Sequence, residues 1–210
     1  MSDAINPKSP IPNPNRSQKA ELSGAKSEDW YSSWFDTPYY HILYKDRNYR
    51  EAQLFMDNLT HYLNLPEKAK VLDLACGKGR HSIYLNQLGF KVLGVDLSEN
   101  SIEFAKQFEN ENLEFFIHDM RLPFHVNYFD YALNFFTSFG YFNTRREHDD
   151  AIRTITNSLR PGGLFVIDYL NVHYAEDHLV HNEVKKIGDS VYDIHRWDDE
   201  THYYKKINSI

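Results

Sequence analysis

The segment VLDLACGKGR, residues 71–80, constrains this chain more than any other stretch. An apolar strand pattern runs into a carboxylate, Asp73, and then into a glycine-punctuated turn that a helical pattern follows. That layout builds a nucleotide-type cofactor site at the carboxyl end of a first parallel strand. Gly77 and Gly79 let backbone pass close to a ligand where side chains would stand in the way. In a dinucleotide-binding fold, pyrophosphate sits over the helix amino terminus and the glycines follow the spacing G-x-G-x-x-G. Here Ser82 holds the third position. Asp73 adds a penalty: at about 6 Å and an effective dielectric of about 20, each unit of phosphate charge costs about 3 kcal/mol beside a carboxylate. A ligand carrying an ammonium and a sulfonium gains from the same group.

Downstream, strand and helix patterns alternate. Strands are expected near 70–75, 91–95, 113–117, 129–134 and 163–169, and helices near 80–88, 98–109 and 146–159. Gly89 ends the first helix, Ser98 caps the second, and Pro161-Gly162-Gly163 ends the third. Such alternation predicts a parallel sheet covered by helices on both faces. Asp96 closes the second strand pattern, KVLGVDLS. A carboxylate there can accept both ribose hydroxyl protons, in charge-assisted bonds worth about 1.5–3 kcal/mol each. Nicotinamide enzymes share that acid, so Asp96 argues for a nucleoside without choosing the cofactor; a solvated acid at the start of the next helix is the plainer alternative.

The first segment resembles the opening motif of class I S-adenosylmethionine-dependent methyltransferases, which commonly reads D-x-G-C-G-x-G. Ala75 stands at the first glycine position. The resemblance extends over about residues 30–171, with five segments in the family's order. It implies a doubly wound, mostly parallel α/β sheet of Rossmann-like type, with S-adenosylmethionine as cofactor. By the same resemblance Asp73, Gly77 and Gly79 surround the methionine part and Asp96 holds the ribose, with Ala75 and Leu97 also among the cofactor-binding residues. Asp119 and Met120, in LEFFIHDMRLPF, fall where the family binds adenine. Phe135, in FDYALNFFTSFGYF, falls where aromatic side chains wall the reaction centre. Methyl transfer from a sulfonium is an in-line displacement, so the protein mainly aligns the nucleophile and excludes water. No catalytic triad is expected, and no catalytic residue is assigned.

Four regions emerge. Residues 1–27 are polar and carry Pro7, Pro10, Pro12 and Pro14, a composition that favours disorder. Residues 28–66 form an aromatic amino-terminal lid, with Tyr39, Tyr40, Tyr44 and Arg47 as candidates, Arg47 for the cofactor carboxylate. Ala52, Phe55, Met56, Leu59, Tyr62 and Leu63 lie on one helical stripe there, and Pro66 closes it. Residues 67–171 are the cofactor-binding core. Residues 172–210 read as short antiparallel strands with no helix of adequate length before them. These strands are either the fold's closing pair or an inserted sheet with the natural ending missing, and the second reading is preferred. They border the substrate or support pairing with a second subunit, a homodimer.

Of the 210 residues 41 per cent are apolar and 15 per cent aromatic, enough for one domain with a sizeable core. No apolar run approaches the roughly 18 residues of a membrane span, and no secretory signal is visible. Cys76 is the single cysteine, which excludes an internal disulfide and suits a reducing cytoplasm. A net charge of −7 argues against phosphate-backbone binding and points to a small-molecule substrate rather than nucleic acid. His173, His178 and His181 match no standard zinc spacing, so no metal is expected. The reading is a cytoplasmic methyltransferase acting on a small molecule. Its rivals are a cofactor-binding protein without catalysis and an NAD-dependent oxidoreductase, against which Ser82 and Asp73 both argue.

Overall fold

The computed structural model describes residues 31, 35, 37–43, 49–136, 138–198 and 203–209. Five strands form one parallel sheet in the order β3-β2-β1-β4-β5. They are β1 (Lys70–Leu74), β2 (Lys91–Asp96), β3 (Leu113–Ile117), β4 (Phe129–Asn134) and β5 (Leu159–Ile167). The inner strands β1 and β2 are apolar along nearly their whole length because helices cover both faces. Alternation along β1 sends Val71 to one face and Leu72 and Leu74 to the other. Asp73 shares the face of Val71. That face packs on α2 (Tyr49–Leu63), α3 (Arg80–Gln87) and α4 (Glu99–Ala105), through Met56, Ile83, Leu85 and Ile102. Ile155 of α5 (Arg145–Ser158) covers the opposite face with Leu159.

Local chemistry sets the helix starts. The Ser98 hydroxyl accepts from the Ser101 N–H and caps α4. Thr144 and Glu147 form a reciprocal capping box at the start of α5, a signal the sequence reading passed over.

Several expectations need correction. The α2 stripe is narrower than its periodicity suggests: Ala52 and Met56 are fully buried, but Tyr62 is 85 % exposed. It lies in the last turn, beyond the reach of α3. The helix expected over 98–109 breaks after Ala105 into a 3-10 turn, Lys106–Phe108. Pro161-Gly162-Gly163 does not end α5, which stops at Ser158; the triplet lies inside an irregular start of β5. Pairing jumps there from Phe129–Leu159 to Tyr131–Leu164. An edge strand tolerates this because Pro161 owes no ladder hydrogen bond on its open side. After β5 the chain forms only a short helix, α6 (Val172–Asp177), in keeping with the absence of a helix of adequate length there.

The carboxyl-terminal strands β6 (Asn182–Ile187), β7 (Ser190–Asp198) and β8 (Tyr203–Ser209) form a separate antiparallel sheet in the order β6-β7-β8. They do not extend the main sheet. Ile187, Tyr192 and Ile194 pack with Leu43 of α1 (Pro38–Leu43), and the Tyr192 hydroxyl donates to the Tyr39 carbonyl at 3.1 Å. Helix α1 and the last strands are therefore packed together, although the sequence keeps them far apart. The expected disordered tail, 1–27, and the lid candidates Tyr44 and Arg47 lie outside the described residues.

Candidate active site

A cavity of about 390 Å³ opens at the carboxyl ends of β1, β2 and β4. This is where the chain, having built β2 and β3 on one side of β1, crosses to β4 on the other, the position at which doubly wound sheets bind ligands. Its floor is the turn after β1. Ala75, Gly77 and Gly79 all take left-handed backbone, with φ of 57, 55 and 77°. The Cys76 N–H donates to the Val95 carbonyl at 3.0 Å and ties the turn to β2.

The two glycines serve different ends. A Cβ on Gly77 meets no atom within 4 Å, and Gly77 lines the cavity. A Cβ on Gly79 falls 2.6 Å from the Phe115 ring. Gly79 therefore seats the start of α3 against β3 and is absent from the described cavity lining.

Three carboxylates, Asp73, Asp96 and Asp119, line the wall together with the cations Lys78 and Arg80. Asp73 is 2 % exposed and accepts from the Ser82 hydroxyl at 2.5 Å. Burial pushes its carboxyl up to about 7; the Ser82 bond opposes this, and the neighbouring Asp96 charge adds to it. Asp96 accepts from the Gly77 N–H at 2.8 Å and from the Ser98 N–H at 2.9 Å. It thus joins the turn after β1 to the cap of α4. Asp119 is paired with Arg121 at 2.6 Å, and Arg121 reaches on to Glu147 of α5 at 2.8 Å. Its carboxylate is held by the guanidinium at the cavity wall. The Met120 carbonyl accepts from the Thr154 hydroxyl at 2.6 Å, which pins the same loop to α5.

A family model described as a methyltransferase domain matches residues 65–208. The chain belongs to this methyltransferase family. Among curated relatives, it is 35 % identical to YqeM of Bacillus subtilis (strain 168) over 108 residues, 50 % of this chain and 44 % of that protein. It is 32 % identical to the glycine N-methyltransferase of Mus musculus over 122 residues, 50 % of this chain and 41 % of that one. The chain thus spans less than half the length of these two relatives. In fold it is similar to an S-adenosylmethionine-dependent methyltransferase from Clostridium acetobutylicum ATCC 824, with a TM-score of 0.57 and 21 % identity, covering 85 % of this chain and 78 % of the other.

In this methyltransferase domain the cavity brings together Asp73, Ala75, Gly77, Asp96, Leu97, Asp119, Met120 and Phe135 of the residues singled out in the sequence. Tyr39 does not line it; its neighbour Tyr40 does. Aromatic residues line part of the cavity: Phe35 packs against Tyr40 and Tyr141 at 5.0 and 5.3 Å, and Tyr31 against Phe142 at 6.1 Å. Two of these five rings, Tyr141 and Phe142, come from the loop after β4, which the sequence reading did not assign to a lid. Arg80 and His81 were also missed. They line the cavity immediately after Gly79, and Arg80 bonds Glu51 of α2 at 2.8 Å. The dipeptide itself was a signal, since a cation and an imidazole at the mouth of a ligand turn are chemically active residue types. Cys76 is buried, and burial holds its thiol well above the usual range, as fits a packing residue.

Proposed function

We propose that this domain binds S-adenosylmethionine and transfers its methyl group to a small-molecule acceptor. The observation that carries this reading is the pair Asp73 and Asp96 on one cavity wall, beside a turn whose Gly77 leaves open space. The residues fit such a ligand. A buried carboxylate raised to about 7 is relieved by a cationic group and opposed by a pyrophosphate. When bound, S-adenosylmethionine supplies a methyl group activated by its sulfonium, with a neutral thioether as leaving group.

The chain's own residues then act by placement. Asp96, already fixed by two backbone N–H groups, presents oxygens for ribose hydroxyls. Asp73 faces the cationic end. The side chains of Tyr31, Phe35, Tyr40, Tyr141 and Phe142 exclude water and limit the acceptor to a small molecule. The net charge of −7 and the single cysteine suit a cytoplasmic enzyme that does not act on nucleic acid. The antiparallel sheet remains a candidate for pairing with a second subunit. Among the described residues no helix is long and apolar enough to cross a membrane.

The deciding experiment is calorimetric titration of the folded chain with S-adenosylmethionine, with NADH in parallel. Binding of the former alone supports the reading. Binding of NADH alone, or of neither, removes it. Radiolabelled transfer to a panel of amines, carboxylates and phenols then separates an enzyme from a protein that only binds the cofactor.

A further inference from the structure

None of the described residues of β6, β7 and β8 lines the cavity, yet the antiparallel sheet reaches it through α1. Residues two apart on a strand share a face, so Tyr192 and Ile194 of β7 point the same way. Ile207 stands opposite Ile194 on β8 and joins them, as does Ile187 of β6. This face takes up Leu43 and Ile42 of α1. The opposite face carries Val184, 71 % exposed, and Trp197, 43 % exposed. A helix of six residues is too short to hold its own place, so α1 depends on what it packs against. The apolar cluster that buries Leu43 comes otherwise from the antiparallel sheet.

One polar contact adds direction to that packing. Tyr192 has 0 % of its surface exposed, and its hydroxyl donates to the Tyr39 carbonyl at 3.1 Å. A buried phenol requires such a partner. Hydrophobic contact is non-directional, whereas a hydrogen bond fixes both distance and angle. The next residue, Tyr40, lines the cavity, with its ring edge-on to Phe35 at 88°. Phe35 in turn meets Tyr141 of the loop after β4.

We propose that Tyr192 is a positioning residue for methyl transfer: through the Tyr39 carbonyl it sets Tyr40 in the cavity wall. The antiparallel sheet thus acts on the bound ligand at one remove. This rests on the methyl-donor reading above. Without the hydroxyl, α1 keeps the apolar contacts of Leu43 and loses the bond that fixes its backbone one residue from the Tyr40 ring.

The test compares two changes in the same cluster, with S-adenosylhomocysteine as the probe. Tyr192→Phe deletes the hydroxyl and keeps the ring; Ile194→Val loosens the packing and keeps the bond. In calorimetry Tyr192→Phe is expected to bind the probe about threefold or more weakly, and Ile194→Val to stay within about twofold of wild type. Tyr40→Ala should weaken binding at least as much as Tyr192→Phe. The double variant should be no weaker than Tyr40→Ala, because both changes act on one ring. Fluorine NMR of fluorotyrosine-labelled protein gives a readout that needs no ligand. The Tyr40 signal, identified by its loss in Tyr40→Phe, should move in Tyr192→Phe and hold in Ile194→Val. Wild-type affinity in Tyr192→Phe, an equal loss in Ile194→Val, losses that multiply in the double variant, or an unmoved Tyr40 signal each overturn the proposal and leave the methyl-donor reading intact. If the probe does not bind the folded wild type, that reading fails first and this inference with it.

Discussion

The Ser82 hydroxyl donates to Asp73 Oδ2 across 2.5 Å, with both side chains buried. Ser82 stands where a dinucleotide fold has its third glycine. It supports a carboxylate that would repel a pyrophosphate, so one substitution both departs from the dinucleotide pattern and stabilises the alternative. The bond does not offset burial, which leaves Asp73 raised to about 7.

That shift has a definite sign. A carboxyl whose folded pKa is raised from 3.8 to about 7 makes folding less favourable as pH rises through that window, and the loss is complete above it. At 1.36 kcal/mol per pH unit the loss is about 4 kcal/mol. Asp73→Asn keeps an oxygen for Ser82 and removes the charge. Urea denaturation at pH 5 and pH 8 should show the variant gaining on wild type by a few kcal/mol at the higher pH. The same variant should bind S-adenosylmethionine at least about tenfold more weakly, the exchange of stability for function expected at a binding site.

Asp96→Ala removes the acceptor for two backbone N–H groups, Gly77 and Ser98, as well as the proposed ribose contact. Affinity for S-adenosylmethionine should fall by about a hundredfold, as two lost charge-assisted bonds would give. Calorimetry on the purified variant checks this. Wild-type affinity in a folded Asp96→Ala protein would falsify the cofactor assignment.

Ala75 adopts φ 57° where relatives of this type commonly have glycine. Left-handed backbone costs a non-glycine residue about 1–2 kcal/mol, while glycine loses about 0.4–1 kcal/mol more entropy on folding. Ala75→Gly should therefore be neutral to stabilising, by up to about 1 kcal/mol. A thermal melt that drops by several degrees would show that the alanine methyl packs usefully in the turn.

Gly77→Ala and Gly79→Ala should separate binding from folding. The first places its Cβ in open cavity space, so stability falls only by backbone strain of about 1–2 kcal/mol while ligand affinity falls. The second drives a Cβ to 2.6 Å from the Phe115 ring and adds an overpacking cost of about 1–3 kcal/mol to the same strain. Chemical denaturation and calorimetry on both variants test the contrast. Equal destabilisation of the two would contradict it.

The sheet and much of the cavity wall were legible in the sequence because both depend on short-range order. The strands were apolar runs, and the acids Asp73, Asp96 and Asp119 stood in or just after three of them. Side chains at strand ends converge once the sheet is parallel, so reading the strands located the cavity. Other features were not local. Whether Gly79 faces a ligand or Phe115 depends on how β3 packs beneath α3, thirty-odd residues along the chain. The partner of Asp119 depends on where Arg121 points, and the sequence offers several acids to that guanidinium. The packing of β7 on α1, sealed by Tyr192 and Tyr39, joins segments that no periodicity relates. The neutrality of His81 follows from burial among the rings of Phe55, Phe135 and Phe136, brought from α2 and the loop after β4 to one point. Sequence determined which elements form and which residues stand at their ends, because those follow from apolar period and turn chemistry. Tertiary structure alone decided which charges are buried, paired or left without a partner, because desolvation depends on every group that closes around a site.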